Sequence, residues 1–215
     1  MAGKLRYKLF ASWLIPITLS FVKEVEGLEN APEGGFVIAA NHESYIDPLI
    51  IKALFDRNFS RIVFYLTKKE AYGSLLKKFF FDSVGTIPVD RQKRDDGALE
   101  EAVKNLKSGG IAGVFPEGTR SKDGKLHKGK TGAVRLALAA QCPILPIGIS
   151  NTFELWPPQK KFPRLEKEAV IKIGKPITIN LHEIATKEVL RSLTNNLMQK
   201  ISELSGQEYV EDENK

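Results

Sequence analysis

The chain has 215 residues, 42% of them hydrophobic and 27% charged, which fits one globular domain and excludes low-complexity, collagen-like and disordered architectures. The 32 Lys and Arg outnumber the 26 Asp and Glu, and the net charge of +6 favours anionic partners: phosphorylated metabolites, nucleic acid or an acidic membrane surface. A single cysteine, Cys142, excludes an intrachain disulfide and a cysteine-cluster zinc site, and no metal-ligand spacing stands out elsewhere.

Lys4, Arg6 and Lys8 lead into an apolar run from Leu9 to Val22, interrupted by Pro16. As a helix this run reaches about 21 Å, short of the roughly 30 Å hydrocarbon core of a bilayer. No small-residue cleavage site follows it, so it is not read as a signal peptide. Residues 1–22 are therefore expected to be a membrane-associating segment lying in the interface, with a core-covering helix as the competing reading.

From Phe21 onward, β-rich stretches alternate with helical periodicity. Strands are predicted at Phe21 to Glu26, Phe36 to Ala40, Arg61 to Leu66, Val84 to Val89, Ile111 to Phe115, Ile144 to Ile149 and Ala169 to Ile173. Between them, Pro48 to Phe55 reads as a helix capped by Asp47. Leu99, Ala102, Val103 and Leu106 share one face of a helix that begins near Asp96 and stops at Gly109-Gly110. Gly132 to Gln141 forms another, ended by Pro143. Leu190, Leu193, Leu197, Ile201 and Leu204 make the stripe of a last helix. The alternation predicts an α/β fold, a largely parallel or mixed central sheet flanked by helices, with a short N-terminal membrane-associating helix. Residues 23–208 are expected to form the main domain and 209–215 an acidic, frayed tail. Ligands of such sheets bind beyond the carboxyl ends of the strands.

Three segments at those ends carry chemistry. Asn41-His42-Glu43-Ser44-Tyr45-Ile46-Asp47-Pro48 follows an apolar strand and offers an imidazole base with a carboxylate to orient it. On one continuous helix the two side chains would point about 140° apart, so a loop must bring them together. The competing readings are a structural histidine and a plain helix cap. Phe115-Pro116-Glu117-Gly118-Thr119-Arg120-Ser121 follows another strand, and its glycine, hydroxyl and guanidinium suit a phosphate. A third segment, Gly85 to Arg91, ends a strand with an arginine able to grip phosphate bidentately.

The order of these blocks, followed by Pro143-Ile-Leu-Pro-Ile147, resembles the glycerolipid acyltransferases, and most closely the 1-acyl-glycerol-3-phosphate acyltransferases. The likeness runs from about Val25 to Ile149. It implies that His42 is the base and Asp47 its partner. It further implies that Arg91, Glu117, Gly118, Thr119 and Arg120 bind the phosphorylated acceptor, with Lys68 at the same anionic site. The basic-loop residue Lys130 is expected to contribute there too. The implied reaction moves a fatty acyl group from acyl-CoA or acyl-ACP, as co-substrate, to the free hydroxyl of lysophosphatidic acid, giving phosphatidic acid. No cofactor is required. Acylation of another lysophospholipid or of glycerol phosphate is the nearest alternative. The implied setting is peripheral, on an anionic membrane surface at the cytoplasmic face of the cell membrane.

Gly124 to Thr131 competes with this reading, because it matches the P-loop pattern of nucleotide-binding proteins. That pattern needs a strand directly before its first glycine, whereas here the strand is predicted to end at Phe115, so the segment is read as a solvated basic loop. A nucleic-acid partner is not expected, since little aromatic interleaving accompanies the basic loops. A serine hydrolase using Ser44 would need a Gly-x-Ser-x-Gly elbow that the chain lacks. Cys142 is expected to be buried and inert, and His127 and His182 have no evident partners in the sequence.

Overall fold

The computed structural model describes residues 14–210 apart from 60, 62, 74–80, 82–84, 91–95, 158, 161 and 180–185. Its main sheet is built from β1 (Val22–Glu26), β2 (Phe36–Ala40), β3 (Val63–Lys68), β4 (Thr86–Val89), β5 (Ile111–Val114), β7 (Ile144–Ser150) and β8 (Ala169–Ile173). The strand order is β1-β8-β7-β2-β5-β3-β4, and every neighbouring pair is parallel except β7 with β8. The mixed α/β sheet is the one anticipated, with boundaries shifted by one or two residues.

The central strand explains why the sheet is covered on both faces. All five residues of β2, Phe-Val-Ile-Ala-Ala, are buried, as a continuous apolar run in a two-sided sheet requires. Side chains alternate across a strand, so Phe36, Ile38 and Ala40 join one core and Val37 and Ala39 the other. The first core is closed by α1 (Asp47–Phe59) through Ile50, Ile51, Leu54 and Phe55. The second is closed by α2 (Asp96–Lys107), α3 (Gly132–Ala140) and α5 (Lys187–Ser205), the last through Leu190, Leu197 and Ile201. At Gly148 a Cβ would fall 2.3 Å from the backbone at Leu204 and Ser205, so only glycine lets α5 lie this close to β7.

Pro88 lies on β4, an edge strand, where its missing N–H breaks no ladder. Helix α2 ends as Gly109 turns to φ 88°, and α3 ends on left-handed Gln141 just before Pro143. Among the elements that the sequence does not announce are the one-turn helix α4 (Thr152–Leu155) and the two-residue strands β6 (Leu126–His127) and β9 (Tyr209–Val210), which pair in parallel. The segment expected as a tail thus starts inside a strand, and 211–215 lie outside the described residues. At the other end, residues 14–19 are helical, Phe21 and Val22 are buried in the first core, and the boundary expected after residue 22 falls within β1. Among the described residues no helix is long and apolar enough to cross a membrane.

Candidate active site

Strands β7, β2 and β5 are adjacent and parallel, so their carboxyl ends open at one edge of the sheet. Residues that follow them in sequence, Thr152, His42 and Glu117, therefore meet in space. His42 Nδ1 lies 2.9 Å from Asp47 Oδ2, across the turn that joins β2 to α1. Asp47 is fully buried, and the same oxygen accepts the backbone N–H groups of Glu43 and Ser44, each at 2.8 Å. Its other oxygen accepts the Thr152 hydroxyl at 2.7 Å. The carboxylate thus faces back toward residues 42–44, which makes it more than a cap for α1. An ionised carboxylate only accepts, so an Asp47 carboxylate takes the Nδ1–H of His42 in this contact and Nε2 is the ring nitrogen it does not use. Phe115 stacks on the imidazole, with ring centroids 4.1 Å apart, and fixes its plane.

A second buried carboxylate, Glu43, supports this pair. Its Oε1 accepts the N–H groups of Thr152 and Phe153 and contacts the Thr152 hydroxyl at 3.1 Å. Gln207 donates to Oε2 at 2.7 Å and is itself oriented by Asn41, which pairs with both backbone groups of Ile149. Burial, followed by the charge of Asp47, pushes the Glu43 carboxyl up to about 8. Glu43, Thr152 and Gln207 were not among the expected site residues. The one signal for Thr152 is its place just after a strand, where sites gather.

The Glu117 loop divides its labour. Glu117, expected at the acceptor, is instead buried and turned toward backbone: Oε2 accepts His42 N–H at 2.9 Å and Oε1 accepts His127 N–H at 3.2 Å. Burial raises its carboxyl to about 7. With the bond from Ser121 N–H to His42 C=O at 2.7 Å, it clamps His42 in place. Gly118 turns the chain at φ 73°, and the Lys130 side chain lies against it, with Nζ 3.0 Å from where a Cβ would stand. The Arg120 guanidinium lies 3.5 Å above the Tyr45 ring, and its buried Nη1 has no hydrogen-bond partner among the described residues. A buried guanidinium N–H without an acceptor is the kind of group an anionic ligand completes.

The site opens onto a cavity of about 750 Å³. His42, Gly118, Thr119 and Arg120 line one part, and Leu49, Tyr65, Leu66, Phe81, Phe115 and Trp156 make the rest largely apolar. Lys68 ends β3, next in the sheet beyond β5, and Arg91 lies outside the described residues just past β4. Neither Glu117 nor Lys130 lines the cavity.

The competing motifs lose their basis. No strand directly precedes Gly124, the extended pair Leu126–His127 runs through the middle of the P-loop pattern, and Gly129 packs against Met198. Ser44 is fully buried, and its hydroxyl donates to the Trp156 carbonyl at 2.9 Å, which removes it as a nucleophile. His127 does have a partner, Asp123, at 2.8 Å, a contact across one turn of chain that composition did not reveal; His182 lies outside the described residues. Cys142 is half-buried, and burial pushes its thiol up to about 11.

The mixed sheet, with the His42–Asp47 pair at its carboxyl edge, gives the chain the architecture of an α/β enzyme. Residues 23–150 match the Acyltransferase family, and the chain belongs to that family. It is 31% identical over 207 residues to a 1-acyl-sn-glycerol-3-phosphate acyltransferase of Bacillus subtilis, covering 92% of this chain and 96% of the relative. A protein of the same description from Pseudomonas aeruginosa is 32% identical over 152 residues, 69% of this chain and 56% of that one. Among solved structures, the 1-acyl-sn-glycerophosphate acyltransferase of Thermotoga maritima superposes with a TM-score of 0.69 at 26% identity, covering 97% of this chain and 84% of that one.

Proposed function

We propose that this enzyme transfers a fatty acyl group from a thioester, acyl-CoA or acyl-ACP, to the free hydroxyl of lysophosphatidic acid. The observation that carries the reading is the sharing of one largely apolar cavity by His42 and by Arg120, whose Nη1 lacks an acceptor. An amphipathic acceptor needs such a place: apolar wall for its chain, a guanidinium for its phosphate and a base at its hydroxyl. The names of the relatives point the same way.

In this mechanism His42 Nε2 accepts the hydroxyl proton as the oxygen attacks the thioester carbonyl, while Asp47 holds the tautomer and balances the imidazolium charge. The tetrahedral intermediate collapses, the carbon–sulfur bond breaks, and the departing thiolate takes the proton back from His42. No acyl-enzyme forms. Arg120 grips the acceptor phosphate, with Thr119 beside it and Lys68, Arg91 and Lys130 adding positive potential, while Glu117 and Gly118 shape the loop. The protein works at an anionic membrane surface, peripherally and on the cytoplasmic side, where its acceptor is dissolved. The test is incubation of purified protein with lysophosphatidate and acyl-CoA, with the product identified by mass spectrometry. Phosphatidate is expected, and its absence with either donor would overturn the reading.

A further inference from the structure

The segment between α4 and β8 exposes apolar surface where a protein facing only water has no use for it. Phe162 is 71% and Leu165 86% exposed, the two most exposed large apolar side chains among the described residues. Single exposed apolar residues are ordinary, but two within four positions of one loop, interspersed with cations, are not. Lys160, Arg164 and Lys167 are exposed beside them. Over 159–168 the sequence carries four cations against Glu166 and Glu168, and Arg164 is already paired with Glu166 at 2.6 Å, so lysines dominate the remaining charge.

The base of this loop is held in position. Arg164 N–H donates to Leu155 C=O at 2.8 Å, and Lys160 N–H donates to Pro157 C=O at 3.1 Å. The Trp156 indole N–H donates to Lys160 C=O at 3.2 Å, while its ring lines the cavity and packs 5.3 Å from Tyr45, the ring beneath Arg120. The exposed loop is therefore joined to the cavity wall through the Trp156 side chain.

We propose that the described residues Lys160 and 162–168 of this loop dock the enzyme on an anionic bilayer: Phe162 and Leu165 enter the boundary between headgroups and acyl chains, Lys160 and Lys167 lie among the anionic headgroups, and Trp156 brings the cavity to the lipid. Apolar side chains backed by lysines suit a lipid interface, where each part gains what water or a protein pocket alone would not supply. The inference rests on the lipid-acceptor reading only for its purpose; the docking itself is independent of acyl transfer and of residues 1–22.

The experiment measures binding of the full chain to vesicles of phosphatidylglycerol and phosphatidylcholine, with no substrate present. The variants are Phe162→Ser/Leu165→Ser and Lys160→Glu/Lys167→Glu, each checked for an unchanged Tm. Loss of two apolar side chains that insert in the bilayer should weaken the partition coefficient at least about a hundredfold, and the charge reversal at least about tenfold. On pure phosphatidylcholine the charge reversal should make little difference. Acylation of lysophosphatidate embedded in vesicles should fall with binding, whereas a short-chain, monomerically dispersed lysophosphatidate should be used at the parental rate. Vesicle binding unchanged in both variants would overturn the proposal. So would selective loss of acyl-ACP use with vesicle binding intact, which would assign the loop to an acidic carrier protein. A parent that binds vesicles through the loop but acylates no lysophosphatidate would refute the function and leave the docking surface standing.

Discussion

Asp47 and Glu43 share one hydroxyl: Thr152 Oγ1 lies 2.7 Å from Asp47 Oδ1 and 3.1 Å from Glu43 Oε1. A hydroxyl has one hydrogen, and the shorter contact has the first claim on it, so Asp47 is the better served and Glu43 is held by it only weakly. This agrees with a Glu43 carboxyl held at about 8. One negative charge, not two, then stands behind His42, as two adjacent buried carboxylates require.

Thr152 is accordingly a positioning residue for the His42–Asp47 pair. Thr152→Val keeps the shape and removes the hydroxyl, leaving a buried carboxylate oxygen without its donor, at a cost of about 1–3 kcal/mol in stability. Turnover should fall by roughly tenfold or more with acceptor KM little changed, and Thr152→Ser should restore both. Steady-state kinetics with urea unfolding of the three proteins check this. A kcat for Thr152→Val equal to the parent's would remove the hydroxyl from the mechanism.

The raised carboxyls predict how stability varies with pH. Glu43 at about 8 and Glu117 at about 7 keep their protons in the folded protein well above the ordinary value of 4.5. Their stabilising contribution is fully present below about pH 4.5 and is lost as the pH rises through 7 and then 8, because the unfolded chain has already released those protons. Each group adds a slope of about 1.4 kcal/mol per pH unit while the two states differ by one proton. Urea titrations from pH 5 to pH 9 should show declining stability, with Glu43→Gln flattening the slope out to pH 8 and Glu117→Gln up to pH 7. Parental stability that rises across this window would contradict the burial argument.

Arg120 combines a stacked plane with an N–H that lacks an acceptor, and lysine reproduces neither. Arg120→Lys should lower kcat/KM for lysophosphatidate roughly ten- to a hundredfold, the value of about 1.5–3 kcal/mol for hydrogen bonds to a charged group. Use of the acyl donor should change much less. The comparison acceptor is the dephosphorylated monoacylglycerol, for which parent and variant should be alike. A parent that uses both acceptors equally would show that Arg120 serves something other than phosphate.

Much of this architecture was legible in the chain because its signals are local. The run Phe36 to Ala40 reads as a central strand, and the interval from His42 to Asp47, broken by Pro48, requires the loop that the structure contains. What was not legible depends on strand order. Thr152 reaches Asp47 only because β7 lies beside β2, and Gln207 reaches Glu43 from beyond the last helix, 164 residues away. Glu117 reads as polar and available in the sequence, yet the fold spends its two oxygens on backbone N–H groups. Strands β6 and β9, at two residues each, are too short to display any alternation.

The central claim is that His42 is the base, and single-turnover transfer from acyl-CoA to lysophosphatidate by the His42→Ala protein tests it most directly. With unfolding and acceptor affinity unchanged, the rate should fall by about 10² to 10⁴-fold, the contribution of a positioned general base. A folded His42→Ala protein that transfers the acyl group at close to the parental rate would contradict the account.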